Sequence, residues 1–268
     1  MEEILRVEGL QKCYASNGQD LRIVDGLSLT VRRGEFVSVV GPSGCGKTTI
    51  LMMLAGLTSS NAGSVVFNGA PVTATPKGVA VVFQDYSRSL LPWRRNIDNV
   101  LLGMRRLEGL GAAAKRARAI ELLHGVGLKG FEAHYPWQLS GGMQQRVAIA
   151  RGLASESELL LLDEPLAAVD AQTRGDMQDL LLELAQKFQQ SCLLVTHDVE
   201  EAVYMADRVI VLSQRPARVL EEIAIDLAKP RDQLTTREDP RFLAVRHHVI
   251  SLIRSTRAAA GTNPGRTP

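Results

Sequence analysis

A glycine-rich stretch between residues 41 and 49 has the residue types and spacing of a phosphate-binding loop. It fits the pattern G-x-x-x-x-G-K-[ST], with an apolar segment before it and a helix-forming segment after it. Glycines let backbone N–H groups turn towards phosphate oxygens, and the start of a helix adds positive charge. We therefore predict that a nucleoside triphosphate is bound by Gly41, Pro42, Ser43, Gly44, Cys45, Gly46, Lys47, Thr48 and Thr49.

Two side chains of this loop are suited to phosphate chemistry. Lys47 carries a compact ammonium for the β- and γ-phosphates, and Thr48 has a hydroxyl that ligates Mg²⁺. The other interpretation is a chance glycine-rich turn before a helix, and both flanking segments count against it.

Two carboxylates follow a run of four leucines at residues 159–162. The run predicts a buried strand, and Asp163 and Glu164 stand at its C-terminal end, where α/β sheets form ligand sites. Asp163 is suited to holding Mg²⁺, directly or through water, and Glu164 to activating the water that attacks the γ-phosphate. Taken alone, such a pair is more often a solvated strand end. The phosphate loop earlier in the chain favours catalysis.

These residues need a scaffold of buried strands, and the sequence predicts one. Short segments rich in β-branched residues give way to helical patterns after residue 94, and strands then alternate with helices from residue 158. We expect an α/β core interrupted by a helical insertion. The predicted strands are residues 4–10, 27–31, 36–40, 64–68, 79–83, 158–163, 192–196 and 208–212.

The segment Leu139-Ser140-Gly141-Gly142-Met143-Gln144-Gln145-Arg146 resembles the signature of ATP-binding cassette (ABC) proteins. Ser140 is a natural helix N-cap, and the two glycines admit a close backbone approach. The resemblance covers about residues 4–227. It implies a P-loop NTPase (ABC ATPase) core with an N-terminal antiparallel β-subdomain and an inserted α-helical subdomain. It also implies that Ser140, Gly141 and Gly142 face the γ-phosphate of an ATP held by a second copy.

Four further residues fall where the ABC pattern has functional side chains. Tyr14 is similar to the aromatic that stacks on adenine, and Gln84 to the glutamine that contacts Mg²⁺. Asp170 resembles a loop aspartate that crosses the dimer interface, although Ala-Ala-Val precedes it where many relatives have other residues. His197 resembles the histidine that contacts the γ-phosphate. The resemblance thus implies Glu164, His197 and Lys47 as catalytic residues.

The resemblance also implies how the chain is divided. We expect an ABC ATPase domain at residues 1–227, with the core at 1–88 and 156–227 and the helical subdomain at about 89–155. A C-terminal tail at 228–268 should be helical near 240–254 and disordered at its end.

A transporter subunit needs membrane partners. The family implies a dimer that hydrolyses ATP with Mg²⁺ on integral membrane permease subunits, at the cytoplasmic face of the inner (plasma) membrane. Indirectly it would serve a periplasmic or lipid-anchored solute-binding protein. Residues 90–96, with Trp93, and the tail from 212–219 through 230–232 look like the bacterial importers of nitrate, sulfonates, taurine and similar small solutes. Trp93 is as suited to packing the insertion onto the core as to contacting a permease.

Composition excludes several other classes. The 31 basic and 29 acidic residues are too balanced for a nucleic-acid binder. Three widely spaced cysteines indicate no disulfide framework, and no apolar segment is long enough for a membrane span.

The alternatives to an importer ATPase are a soluble ABC ATPase of DNA or ribosome maintenance, a nucleotide-binding regulator without turnover, and an ABC transporter of another cargo.

Overall fold

The computed structural model describes residues 2–16, 19–85 and 89–261. The chain divides into two compact units, one formed by residues 1–76 and 193–268 and the other by residues 77–192. Within the described residues the elements follow one another as β1 (Glu3–Ser16), β2 (Gln19–Arg32), β3 (Phe36–Val40), α1 (Lys47–Leu54), β4 (Ala62–Phe67), β5 (Ala70–Pro71), β6 (Val79–Val82), α2 (Asn96–Gly103), α3 (Ala112–Gly125), α4 (Gly141–Leu153), β7 (Leu159–Asp163), α5 (Ala171–Lys187), β8 (Ser191–Thr196), α6 (Val199–Met205), β9 (Arg208–Leu212), β10 (Val219–Ala224), α7 (Thr235–Glu238) and α8 (Pro240–Gly261).

An antiparallel sheet of order β2-β1-β4-β5 lies in the first unit. β1 and β2 are each 14 residues long, much longer than the predicted strands at 4–10 and 27–31. The register shifts around Gly9, which has a φ of 57° and continues the strand through an irregularity. The polar residues of β1 after Gly9 do not show the pattern of a strand. Pairing with β2 nevertheless provides hydrogen-bond partners for their backbone N–H and C=O groups.

The phosphate loop is positioned by strands of the same unit, which follow the order β10-β9-β3-β8. β3 runs parallel to β9, with Val37 beside Arg208, and every residue of β3 is buried. Such fully buried parallel strands need continuous apolar runs, which is why β3, β8 and β9 were predictable. β10 was not predicted, because it pairs with β9 at the edge and alternates half-buried with exposed residues.

The second unit combines the parallel pair β6 and β7 with helices α2 to α5. Helix α2 comes close to α4, since a Cβ on Gly103 would lie 2.3 Å from the carbonyl oxygen of Arg151. The buried Asn99 fixes the loop before α2 by donating to the carbonyls of Leu91, Arg94 and Arg95. These contacts hold the residues on either side of Trp93, whose side chain is 70% exposed.

The structure describes the C-terminal tail as far as Gly261. Its main helix, α8, runs beyond the predicted end near residue 254, and the segment 262–268 that we expected to be disordered lies outside the described residues. The predicted α/β class is confirmed, whereas the predicted subdomain boundaries stay a prediction. No helix within the described ranges combines the length and apolar composition that crossing a bilayer demands.

Candidate nucleotide-binding site

The phosphate loop joins β3 to α1 in a conformation that depends on glycine. Gly44 and Gly46 have φ angles of 73° and 118°, which residues with a side chain rarely adopt. A Cβ on Gly46 would also lie 2.7 Å from Cγ2 of Ile23. Because Gly46 is the N-cap of α1 and has no side chain, no cap competes with a ligand for the first N–H groups of the helix.

Lys47 is buried and folds back over its own loop. Its Nζ donates hydrogen bonds to the carbonyl oxygens of Gly41 (3.0 Å) and Pro42 (3.3 Å). The loop therefore surrounds an ammonium group with oxygen acceptors, and phosphate oxygens could take their place. Cys45 beside it is buried as well, and burial raises the pKa of its thiol above the ordinary range.

Arg215 supports the loop from the turn between β9 and β10. Its Nη2 donates to the carbonyl oxygen of Gly44 at 2.7 Å. The turn itself is anchored because Ala217 N donates to Ile23 O and Ser213 Oγ donates to Pro216 O. No role for Arg215 was predicted, although it lies in the segment 212–219 that suggested the importer branch.

Tyr14 and His197 belong to the same unit as the phosphate loop. Tyr14 is 42% exposed near the end of β1, and the ammonium of Lys12 lies 4.9 Å from its ring centroid. His197 is exposed directly after β8, just before Asp198 caps helix α6. Their contacts with nucleotide stay predictions.

The acidic pair lies in the second unit at the end of β7. Asp163 is 2% exposed, while Glu164 is half-buried with a φ of 45°, a conformation that is uncommon for residues other than glycine. The structure brings Glu164 and Gln84 together, since Gln84 Nε2 donates to Glu164 Oε2 at 3.2 Å. Glu164 thus combines an uncommon backbone conformation with a carboxylate that accepts a hydrogen bond from an amide side chain. This combination is typical of a functional position.

The signature segment contacts the loop that leads to Asp170. Ser140 is confirmed as the N-cap of α4, because its Oγ accepts a hydrogen bond from Met143 N at 3.4 Å. A Cβ on Gly142 would lie 2.9 Å from Ala168 O, so this approach requires glycine. The fully buried Gln145 bonds Glu164 O (3.2 Å) and Ala168 N (2.9 Å). No role for Gln145 was predicted, although it lies inside the signature segment.

Asp170 acts as the N-cap of its own helix α5. Its Oδ1 accepts a hydrogen bond from Thr173 N at 2.9 Å. This bond lowers the pKa of the Asp170 carboxyl, which keeps it ionised. The predicted interface role of Asp170 stays a prediction.

The predicted magnesium ligands offer suitable donors. Thr48, Gln84 and Asp163 supply a hydroxyl, an amide and a carboxylate oxygen, and Mg²⁺ prefers oxygen ligands of this kind. Asp163 is buried, and a buried carboxylate is stabilised when it pairs with a cation. The donor set fits the ion.

Comparisons with known proteins agree on one family. The family model described as ABC transporter matches residues 24–167. An uncharacterized ABC transporter ATP-binding protein of Methanocaldococcus jannaschii is 45% identical over 254 residues, covering 95% of this chain and 92% of the relative. The taurine import ATP-binding protein TauB of Escherichia coli K12 is 43% identical over 250 residues, covering 92% and 96%.

A solved structure gives the same result for the fold. It is described as the dimeric structure of a post-hydrolysis state of an ATP-binding cassette bound to ADP and Pi. The TM-score is 0.75 at 30% sequence identity, and the match covers 82% of this chain and 98% of the solved one.

Proposed function

The chain belongs to the ABC transporter family, and from that membership we propose that it is the ATP-hydrolysing subunit of an importer for a small solute. The observation that carries this proposal is the conformation of the phosphate loop. Gly44 and Gly46 have positive φ angles, and α1 begins at Lys47 without a side-chain cap. The relatives named as taurine import proteins support import, and they favour taurine, a sulfonate, nitrate or a similar solute as cargo.

ATP binding uses the loop residues 41–49. The β- and γ-phosphate oxygens replace the carbonyls of Gly41 and Pro42 as acceptors for Lys47, and N–H groups of the loop and of α1 bind the remaining oxygens. Tyr14 stacks on the adenine. Thr48, Gln84 and Asp163 would hold Mg²⁺, which would neutralise part of the charge on the phosphates.

Hydrolysis uses Glu164 as the general base for the attacking water. The hydrogen bond from Gln84 Nε2 to Glu164 Oε2 limits the rotation of the Glu164 side chain, so that its carboxylate is held in place to orient the attacking water. His197 contacts the γ-phosphate. These roles are supported by the order of the residues along the chain and by the exposure of His197 after β8.

Two copies of the chain form the working unit. Ser140, Gly141 and Gly142 present the N-terminal end of α4 to the ATP of the partner, and Asp170 lies at the same interface. The start of a helix favours an anion. The dimeric state of the similar cassette structure supports this pairing.

The dimer transmits ATP binding to integral membrane permease subunits at the inner face of the membrane, where the chain is peripheral. A solute-binding protein delivers the cargo to the permease. The side chain of Trp93 is 70% exposed and is therefore accessible for a contact with the permease.

Calorimetric titration with ATP tests the nucleotide site. Lys47→Ala should weaken ATP binding by about 10- to 100-fold, since a charge-assisted hydrogen bond contributes about 1.5–3 kcal/mol. Lys115→Ala is the matched control, because Lys115 also donates to two carbonyls, those of Met104 and Leu107, outside the phosphate loop. Unchanged ATP affinity in Lys47→Ala would contradict the proposed site.

A further inference from the structure

The C-terminal tail packs against helix α6, which begins two residues after His197. Three arginines of the tail, Arg231, Arg237 and Arg246, make hydrogen bonds to the two ends of this helix. We call these three residues the arginine clamp.

Arg231 binds the C-terminal end of α6. Its guanidinium donates to the carbonyl oxygens of Val203 (3.4 Å), Tyr204 and Ala206 (2.6 Å). The last carbonyls of a helix have no partner within the helix, and a cation placed there also matches the negative end of the helix dipole. Arg231 therefore fixes where α6 ends.

Arg237 and Arg246 bind the N-terminal end through one carboxylate. Glu200 Oε2 accepts from Arg237 Nη1 at 3.1 Å, and Glu200 Oε1 accepts from Arg246 Nη1 at 2.7 Å. The guanidinium of Arg237 also lies 5.0 Å from the ring centroid of the buried Tyr204. Arg237 thus connects the first and the last turn of α6.

Apolar side chains of α8 attach the clamp to the unit. Phe242 and Val249 are 1% and 0% exposed, although both lie in the tail beyond the α/β core. Burial of two such side chains contributes much more than the partly exposed ion pairs, so the apolar contacts hold the tail and the arginines set its alignment.

Helix α6 needs this support because it has only seven residues, and helices that short are not stable alone. Its own cap, Asp198, accepts from the N–H groups of Glu200 and Glu201 and is bonded covalently to His197. A displacement of α6 therefore displaces His197 as well.

We propose that the arginine clamp consists of positioning residues for ATP hydrolysis: by fixing both ends of α6, it holds His197 in the orientation that the reaction requires. The inference rests on the proposed role of His197 at the γ-phosphate. It gives the tail a function in catalysis that the motifs of the sequence do not predict.

Steady-state ATPase kinetics of the full-length chain test the clamp. Glu200→Gln removes the charge that both arginines bind and nearly preserves the side-chain shape. We expect kcat to fall about tenfold, within the roughly hundredfold that a 1 Å misplacement can cost, while KM for ATP changes less than about twofold. Arg241→Gln is the matched control, because Arg241 lies in the same tail but pairs with Asp239 and Asp226 and should leave kcat unchanged.

A double-mutant cycle with His197→Ala distinguishes positioning from simple stabilisation. If the clamp acts through His197, Glu200→Gln should lower kcat less than about twofold once His197 is absent. An equal loss in both backgrounds, or a lower melting temperature with unchanged kcat, would overturn the clamp. Full activity of His197→Ala alone would instead contradict the role proposed for His197.

Discussion

Glu164 combines a left-handed backbone conformation with a carboxylate that accepts a hydrogen bond from Gln84. Replacement by Gln preserves the shape but removes the base. We expect kcat to fall about 10²- to 10⁴-fold, equivalent to about 3–5 kcal/mol of activation free energy, while ATP affinity is retained. Phosphate release and ATP titration measure the two quantities separately.

Glu156→Gln provides the control for this experiment. Glu156 has the same φ of 45° and lies in the same unit, but its carboxylate pairs with Arg118 and has no predicted catalytic role. It should keep the wild-type rate. Wild-type turnover by Glu164→Gln would rule out Glu164 as the general base.

At the residue scale, the motifs predicted which side chains could do chemistry, but not the side chains that hold them. Lys47, Glu164 and Ser140 stand in patterns whose spacing is itself informative. Arg215 acts through one hydrogen bond and Gln145 through two, all to backbone groups that are distant in sequence. Any polar residue could make such a bond, so neither residue type nor spacing identified them.

At the element scale, the start of α4 depends on its approach to the loop before Asp170. In Gly142→Ala the added Cβ would lie 2.9 Å from Ala168 O, so the helix or the loop must move. We expect a loss of about 1–3 kcal/mol in the free energy of unfolding, measured by urea denaturation, because overpacking against backbone is rarely relieved fully.

Gly111→Ala is the corresponding control. Gly111 precedes α3, has nothing within 4 Å of an added Cβ and has an ordinary φ of −67°. Its replacement should change stability by less than about 1 kcal/mol. Equal stability of Gly142→Ala and the wild type would mean that the helix and the loop do not need this close contact.

Elements were predictable where they are buried on every side. The nearly continuous apolar runs at 36–40 and 159–162 are typical of interior strands. The strands predicted at 36–40 and 158–163 agree with the observed bounds to within one residue. The second half of β1, the first half of β2 and all of β10 are edge or polar segments whose pairing comes from distant partners. Local pattern does not determine such strands, because tertiary contacts override propensity.

At the scale of the whole molecule, Arg208 ties together four segments of the first unit. It bonds Glu35 (2.9 Å), Glu222 and the carbonyl of Thr30 (2.6 Å), while Arg208 and Glu35 are 12% and 8% exposed. Arg208→Met leaves the Glu35 charge buried. We expect a loss of about 3–5 kcal/mol in the free energy of unfolding, measured by urea denaturation.

Adding Glu35→Gln to Arg208→Met should recover part of that loss, because no uncompensated charge then remains buried. Arg6→Met is the control, since its pair with Glu3 is exposed to solvent and should add little to stability. An equal effect of Arg6→Met and Arg208→Met would refute the role of burial.

The family membership of the whole chain followed from the sequence, but the function of its tail did not. The ABC motifs recur in fixed order, so several weak signals combine into one strong prediction. Arg237 and Arg246 lie in no motif, and Arg231 lies in the segment 230–232, which suggested only the importer branch. The contacts of these arginines with α6, 25 to 46 residues earlier in the chain, come from the fold. Such long-range contacts become visible only in the folded chain.

The central claim is that each ATP is bound by the phosphate loop of one copy and the Ser140 end of α4 in the other. The molar mass of Glu164→Gln, measured by light scattering with and without saturating ATP and Mg²⁺, tests it most directly. The account predicts 29.2 kDa without ATP and about twice that value with it. Ser140→Arg in the same background should bind ATP and yet stay at the single mass. A single-chain mass for Glu164→Gln at saturating ATP, or an undiminished dimer with Ser140→Arg, would contradict the account.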